Sequence, residues 1–327
     1  MSFWDSLQRP IMALAPMADV TDAAFRRIIA KYSKCQTPGC LTQPYVTWTE
    51  FVSVDGLALA PDEGRKKLLA DLIYSEAERP IVAQFFGSRP ENMEKAAALA
   101  REMGFDGVDI NMGCPDKSIE KQGAGAAHIK DPARAQEVIH AAIQGAGDLP
   151  VSVKTRLGYN KDELEDWLPK LLETNLAAIT VHARTRKEMS LVPARWEQVK
   201  RAVEIRNECG SKTVILGNGD VKNVSDALQK IAETGADGAM LGRAIFGNPW
   251  LFATTAPDLH ERLRVMVEHT KQFEQLLPHK SFSIMKKHYK AYVFGFDGAS
   301  ELRGELMNAQ NSAVVSDCVD KWLASHP

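Results

Sequence analysis

"PVSVKTRLGYNKDELEDWLPKLLETNLAAITVHA", residues 150–183, contains two short apolar runs on either side of a segment with helical spacing. The runs are "PVSVKT" (150–155) and "AAITVHA" (177–183), and the segment between them is "DELEDWLPKLLETN" (162–175). A strand, a helix and a second strand in this order are typical of the parallel β/α unit. The stretch therefore predicts an α/β protein with parallel strands.

The alternation of short apolar runs and helix-like segments continues on both sides of this stretch. Eight runs are candidate strands: "IMALA" (11–15), "LTQPYVTWT" (41–49), "PIVAQFF" (80–86), "DGVDIN" (106–111), "PVSVKT" (150–155), "AAITVHA" (177–183), "KTVILGN" (212–218) and "DGAMLG" (237–242). Eight β/α units over roughly 240 residues predict a (β/α)8 TIM barrel. A doubly wound sheet is the alternative, but "APMADVTD" after the first strand lacks the glycine fingerprint that is usual in that fold.

The pattern changes near residue 256, after which only helix-like segments follow. They are "HERLRVMVEHTKQFEQLL", "FSIMKKHYKAYVFGF" and "ASELRGELMNAQ". We therefore predict a barrel domain over residues 1–255 and a smaller, all-helical C-terminal domain over residues 256–327.

The composition indicates a globular protein without a membrane span or a disulfide framework. Of the 327 residues, 45% are hydrophobic, which is enough for a large core. The formal net charge of -2 gives no global positive field, although a local basic patch could still bind nucleic acid. Five irregularly spaced cysteines, an N-terminus unlike a secretion signal and no apolar stretch of about 18 residues predict a reduced, cytoplasmic protein.

Polar residues follow or close most of the candidate strands. In a TIM barrel the chemistry collects at the carboxyl ends of the strands, so polar residues there carry more weight than elsewhere. One such residue alone is more often solvated or paired, but several in one predicted ring indicate a site. They are Pro16 and Met17 after the first strand, Gln84, Asn111, Lys154 and His182 in the next ones, and Asn218, Asp220, Gly242 and Arg243 at the last two.

Glycine-containing turns follow the last two strands. "GNGD" (217–220) and "GR" (242–243) stand where barrels commonly bind a phosphate group through backbone N–H groups. They could also be two ordinary turns that use glycine for positive φ. A phosphate there, with Gln84 and Lys154 across the barrel mouth, would suit flavin mononucleotide (FMN), because an amide can bond its pyrimidine edge and a cation can stabilise the reduced ring. Spacing alone does not name the cofactor.

Together these motifs resemble the tRNA-dihydrouridine synthases, flavoenzymes that reduce a uridine of tRNA to 5,6-dihydrouridine. The matching stretches lie in order over nearly the whole chain. They are "APMADVTD" (15–22), "DINMGCP" (109–115), "VKTRLG" (153–158), "HARTR" (182–186), "GNGD" (217–220), "GRAIFGNPW" (242–250) and "KKHYKAYVFGFDGASELRGELM" (286–307).

The resemblance implies a role for each matching residue, with NADPH or NADH as the reductant of the flavin. The implied FMN contacts are Pro16, Met17, Ala18, Gln84, Lys154, His182, Asn218, Gly219, Asp220, Gly242 and Arg243. The implied substrate-side residues of the barrel are Asn111, Arg184 and Arg186, and Cys114 matches the catalytic thiol.

Cys114 also suits that role on chemical grounds. Reduction of uracil needs a hydride at C6 and a proton at C5, so an acid must stand on the ring face opposite the flavin. A thiol with an ordinary pKa of about 8.5 is mostly protonated at neutral pH, and a loop with Gly123 and Gly125 could carry it over the base. A core cysteine is the alternative interpretation. A metal site is not predicted, since Cys35 and Cys40 lack zinc spacing and a second pair.

The helical tail offers contacts for the RNA. A uridine must be extruded from folded RNA before a flavin can stack on it, so the protein needs phosphate contacts around the pocket. "HKSFSIMKKHYK" (279–290) is basic and has no acid. The tail residues that we expect to contact tRNA are Lys286, Lys287, Lys290 and Arg303, in a protein that is expected to be a monomer.

Three other activities remain open at the level of sequence. An FMN barrel could act on free pyrimidines or dihydroorotate, Lys154 could form the Schiff base of an aldolase, or the protein could bind RNA without catalysis. Three segments depart from the family pattern: "KCQTPGC" (34–40), "TEF" (49–51) and "KEMSLVPARW" (187–196). All three lie in or near predicted barrel loops, so the position of the target uridine is not predicted.

Overall fold

The computed structural model describes residues 2–34, 44–253 and 256–326. Its chain divides into two compact units. The first comprises the described residues of Met1–Ala18, Tyr45–Leu72 and Arg79–Gly242. The second comprises the described residues of Asp19–Pro44, Ile73–Glu78 and Arg243–Pro327. Each unit is built around its own buried residues.

The first unit is a closed parallel barrel of eight strands. They are β1 (Ile11–Leu14), β2 (Tyr45–Trp48), β3 (Ile81–Phe86), β4 (Gly107–Met112), β5 (Val151–Arg156), β6 (Ala178–His182), β7 (Val214–Asn218) and β8 (Gly238–Leu241). Each strand pairs with the next along the chain, and β1 also pairs with β8, which closes the ring. The predicted TIM barrel is confirmed. Residues 41–43 of the predicted second strand lie outside the described residues.

Apolar side chains at alternate positions fill the barrel. Ile11, Ala13 and Ala15 follow the period of two that a strand imposes, and all three belong to the core cluster. Trp4 joins this cluster from the short helix before β1, and its ring centroid lies 6.0 Å from that of Trp48. The amino-terminal segment thus contributes an aromatic side chain to the barrel core.

The helices are distributed over both units. In chain order they are α1 (Phe3–Ser6), α2 (Ala23–Ser33), α3 (Val54–Leu59), α4 (Asp62–Ala70), α5 (Pro90–Glu102), α6 (Lys117–Glu120), α7 (Pro132–Ala146), α8 (Leu164–Leu172), α9 (Trp196–Glu208), α10 (Val224–Thr234), α11 (Leu259–Leu276), α12 (Met285–Tyr292), α13 (Ala299–Leu306) and α14 (Ser312–Ser325). Among the described residues, no helix is long and apolar enough to cross a membrane.

The second unit combines α2 with the four C-terminal helices. A buried ion pair holds α2 to residues 73–78: Arg26 Nε donates to Glu78 Oε2 at 2.7 Å, and neither side chain is exposed. The remaining guanidinium nitrogens of Arg26 donate to the carbonyls of Thr21 and Ile73. The tail is helical as predicted, and the functional division at residue 255 stays a prediction.

Two buried histidines lie at the centre of the second unit. His269 of α11 and His288 of α12 are fully buried, with ring centroids 4.6 Å apart, and Phe25 of α2 stacks on His269 at 4.7 Å. Burial lowers the pKa of His288 to about 3 and holds the pKa of His269 well below its usual value. Both rings are therefore neutral in the folded protein at neutral pH.

Acid should destabilise the protein through these two histidines. Because their folded pKa values lie below the unfolded value of about 6.5, the unfolded chain takes up protons first as the pH falls. Each histidine should then remove about 1.4 kcal/mol from the free energy of unfolding per pH unit below about pH 6. We expect His288→Phe to reduce this slope in urea unfolding between pH 7 and pH 4, followed by circular dichroism. The matched control, His140→Phe at an exposed position of α7, should leave it unchanged. An unaltered slope in His288→Phe would contradict the assignment.

Candidate active site

Strand register brings the predicted site residues to one rim of the barrel. Asn111 on β4 lies opposite Lys154 on β5. Arg156 lies opposite His182 on β6, and His182 lies opposite Asn218 on β7. Since all eight strands are parallel, these positions are at the carboxyl ends where TIM barrels place their chemistry. The register therefore brings Asn111, Lys154, His182 and Asn218 together at this rim, while their ligand contacts stay predictions.

A buried hydrogen-bonded chain links the strands β3 and β4. Gln84 Nε2 donates to Asp109 Oδ2 at 2.6 Å, and Asn111 Nδ2 donates to Gln84 Oε1 at 3.2 Å. Ser152 also donates to Asp109, at 2.5 Å. Burial raises the pKa of Asp109 to about 6, while the hydrogen bonds from Ser152 and Gln84 oppose this rise. These hydrogen bonds fix the orientation of the Gln84 amide, which is fully buried. One N–H of this amide goes to Asp109, and the second N–H remains available.

Asn111 also shapes the turn that carries Cys114. Its side-chain oxygen accepts the backbone N–H groups of Gly113 at 3.2 Å and Cys114 at 2.9 Å. The carbonyl of Cys114 accepts the N–H of Ala126 at 3.0 Å. The chain passes so close at Gly125, with φ +60°, that a Cβ there would lie 2.7 Å from the Cys114 oxygen. Asn111 and the returning chain thus define the position of the thiol.

Burial raises the pKa of the Cys114 thiol above its ordinary value. The thiol is free, partly exposed and protonated at neutral pH. These properties suit a proton donor better than a nucleophile, which needs a thiolate. They also disagree with the alternative of an inert core cysteine. Within the described residues, no group of three His, Cys, Asp or Glu side chains could hold a metal ion, and Cys35 and Cys40 lie outside these residues.

Lys154 provides the positive charge of the rim. Burial lowers its pKa to about 8, with a further decrease from the Arg156 charge and an opposing effect from Asp109. The ammonium is therefore still mostly charged at neutral pH. Arg156 itself is occupied: Nε donates to the Gly113 carbonyl at 2.7 Å, and Nη1 donates to the carbonyls of Thr185 and Met189 at 3.1 and 3.0 Å.

The "HARTR" and "GNGD" motifs are joined by an ion pair. Arg184 is 2% exposed, and its guanidinium contacts Asp220 Oδ2 and, at 3.1 Å, His182 Nε2. Asp220 Oδ2 also accepts the N–H of Ala194 at 2.9 Å. Both Arg184 and Asp220 are thus engaged with protein groups, while their predicted ligand contacts stay predictions.

Residues 13–325 match the family model described as "Dihydrouridine synthase (Dus)". The chain belongs to the dihydrouridine synthase family. It is 38% identical over 329 aligned positions to a probable tRNA-dihydrouridine synthase of Staphylococcus aureus (strain COL), covering 99% of this chain and 96% of that one. It is also 38% identical to probable tRNA-dihydrouridine synthase 2 of Bacillus subtilis (strain 168), covering 98% and 96%.

Solved structures agree with the fold of this dihydrouridine synthase family member. Morphinone reductase in complex with tetrahydroNAD superposes with a TM-score of 0.50 at 15% identity, over 76% of this chain and 88% of that chain. A 2-naphthoyl-CoA reductase complex gives 0.51 at 13% identity, over 73% and 49%. At these identities the likeness concerns the fold alone.

Gly219 after β7 and Gly242 after β8 differ in whether the surrounding atoms leave space for a Cβ. Gly219 has φ +121°, and a Cβ there would lie 2.8 Å from the Ala194 Cβ, so the protein itself requires glycine. At Gly242 φ is not positive, and the nearest atoms to a Cβ, from Ala15 and Met17, are 3.6 Å away. The fold therefore does not explain Gly242, whose neighbourhood also includes the predicted ligand contact Met17.

The other predicted ligand and tRNA contacts lie after β1, on β7, and in the second unit. Pro16 is buried and Ala18 exposed after β1, and Asn218 Nδ2 donates to the Met240 carbonyl at 2.8 Å. Arg243 begins a short 3-10 helix and belongs to the second unit. In that unit, α12 carries Lys286 and Lys287, which are partly exposed, and Lys290, which is exposed.

Lys286 and Lys290 are four residues apart and share a face of α12. Arg303 Nη1 donates to the Val293 carbonyl at 2.8 Å. Among the described residues, none of the three α12 lysines forms an ion pair, so their charges are available to a ligand.

Sequence reasoning missed several residues that organise the site. Asp109 holds Gln84, Arg156 holds Gly113, and Glu120 pairs with Arg186. Asp109 lies inside the predicted strand 106–111, and Arg156 directly follows the predicted strand 150–155. A charged residue at a buried strand is a usable signal. Glu120 had no such signal, because its partner is 66 positions away.

Proposed function

We propose that this enzyme reduces specific uridines of tRNA to 5,6-dihydrouridine, using bound FMN and NADPH or NADH. The observation that carries the proposal is Cys114, a protonated thiol that Asn111 positions at the rim next to Lys154 on the neighbouring strand. Family membership and the names of the two relatives support tRNA as the substrate. We also propose a monomeric, cytoplasmic protein.

The residues present fit FMN. Gly242 leaves room that the protein does not use, as expected where a backbone approaches a phosphate. Lys154 supplies a cation, and Gln84 has a spare N–H for a polar ring edge. When bound, the flavin would supply the hydride that reduces the 5,6 double bond of uracil. His182, Asn218 and the residues after β1 complete the proposed binding set.

The side chains of this protein then manage the proton and the orientation of the base. Cys114 holds the proton that C5 receives, because its raised pKa keeps it protonated at neutral pH. Asn111 fixes the turn of Cys114 through its oxygen and keeps Gln84 in place through its nitrogen. Lys154 stabilises negative charge at the rim, and Arg184 orients His182. Lys286, Lys287, Lys290 and Arg303 would contact tRNA phosphates.

Cys114→Ala should reduce dihydrouridine formation by at least about 100-fold, the usual contribution of a general acid. NADPH oxidation by the enzyme should continue at close to the wild-type rate, since it needs no proton at C5. Dihydrouridine is measured by mass spectrometry of digested tRNA. Cys209→Ala, at an exposed thiol, is the matched control and should change neither rate. Product at the wild-type rate from Cys114→Ala would refute the acid assignment.

Gly242→Ala should weaken FMN binding without loss of stability. The new Cβ meets no protein atom closer than 3.6 Å, so the urea unfolding midpoint of the FMN-free protein should be unchanged. We expect the FMN dissociation constant to rise about tenfold, equivalent to about 1.4 kcal/mol, measured by flavin fluorescence. Gly304→Ala, with nothing within 4 Å, is the control. Wild-type affinity in Gly242→Ala would place the phosphate elsewhere.

Replacement of Lys286, Lys287 and Lys290 together by alanine should weaken tRNA binding by about tenfold or more and flatten its dependence on salt, because fewer counterions are released. Filter binding at several salt concentrations measures both. A triple alanine variant of the exposed Lys95, Lys200 and Lys212 is the control for net charge. Equal tRNA affinity in the two variants, with turnover of free pyrimidines, would instead favour an FMN oxidoreductase acting on small substrates.

A further inference from the structure

The segment that follows Cys114 turns back on itself at the barrel rim. After Pro115 it forms α6 (Lys117–Glu120), capped by the Asp116 carboxylate, and then a 3-10 helix over Gly125–Lys130. We call residues 113–130 the thiol loop. Asn111 holds its first residues, Ser88 donates to the Gln122 carbonyl at 2.5 Å, and His128 Nε2 lies 3.0 Å from the Gly87 carbonyl. The position of α6, between these contacts, depends on a further contact with another loop.

A two-pronged ion pair joins the thiol loop to the segment after β6. Arg186 Nε donates to Glu120 Oε1 at 2.6 Å, and Arg186 Nη2 contacts Glu120 Oε2. The side chains are 21% and 9% exposed, so solvent screens this pair less than a surface pair. The parallel geometry of an arginine fork and a carboxylate fixes orientation as well as distance.

Arg186 is itself held in place by the loop after β5. Its backbone N–H donates to the Gly158 carbonyl at 2.8 Å. Its guanidinium carbon lies 5.1 Å from the centre of the Tyr159 ring. Lys130, at the other end of the thiol loop, places its ammonium 4.4 Å from the same ring. The C-terminal ends of α6 and of the following 3-10 helix are therefore connected to the loops after β5 and β6.

We propose that Glu120 and Arg186 are positioning residues, whose ion pair holds the thiol loop so that Cys114 reaches the uracil. The inference rests on the proposed function for its chemistry, but the loop contact itself does not. A general acid must lie within hydrogen-bond reach of the atom that it protonates, and a displacement of about 1 Å can cost about 100-fold in rate. The fork of Arg186 is occupied by Glu120, so its position is explained by the thiol loop, while its predicted contact with the substrate stays a prediction.

Chemical accessibility of Cys114 tests the proposal directly. In Glu120→Gln and in Arg186→Met, the rate of Cys114 alkylation by iodoacetamide, quantified by peptide mass spectrometry, should rise several-fold. Its pH midpoint should fall below that of the wild type, because burial is the main cause of the raised Cys114 pKa and a loosened loop exposes the thiol. The double variant should show no larger increase than either single variant, since both remove the same contact. The alkylation rate of Cys318 in the second unit provides an internal reference.

Glu165→Gln is the matched control, because Glu165 forms a similar two-pronged pair with Arg201 on the surface helices α8 and α9. It should leave Cys114 alkylation unchanged. For turnover, Glu120→Gln should lower kcat for dihydrouridine by about tenfold or more, with NADPH oxidation unchanged. Arg186→Lys, which keeps the positive charge, should lower kcat less than Arg186→Met does.

Two results would overturn the inference. One is Cys114 alkylation at the wild-type rate in both single variants, and the other is an equal acceleration at Cys318, which indicates general loosening. If the wild-type enzyme makes no dihydrouridine, the proposed function fails, while the alkylation rates still report whether the ion pair positions the thiol loop.

Discussion

Closure of the parallel ring is the constraint on which the rest of the structure depends. Hydrogen bonds from β1 to both β2 and β8 leave the first unit without an open edge in the ring and set the register of every strand. That register places Asn111 beside Lys154 and His182 beside Asn218. A shift of one residue in any strand would turn its side chains to the other face of the barrel wall.

Burial at the rim shifts the pKa values of Cys114 and Lys154 in opposite directions. It raises the pKa of Cys114, which keeps the thiol protonated, and lowers the pKa of Lys154 only to about 8, which leaves the ammonium mostly charged at neutral pH. The same environment raises the pKa of Asp109 to about 6. A neutral thiol that follows β4 and a cation on β5 thus coexist at the same rim.

The sequence predicted the eight strands because each is a short, β-branched run between helix-like segments, and it predicted the rim because polar residues close those runs. It did not predict α3 and α4, since α4 has no buried residue and so no apolar stripe. Arg26 and Glu78, which join separate parts of the second unit, have no local signature. Asp220 was predicted beside a phosphate, while its carboxylate contacts Arg184, a partner that only the folded ring brings near.

Gly219 and Gly242 differ in a way that bears on how such barrels diverge. Gly219 is required by its positive φ and by the close approach of Ala194, so a chain that keeps this backbone must keep glycine there. At Gly242 no protein atom lies close enough to a Cβ to require glycine. Divergence of the fold therefore constrains position 219 sterically and leaves position 242 open to a larger side chain.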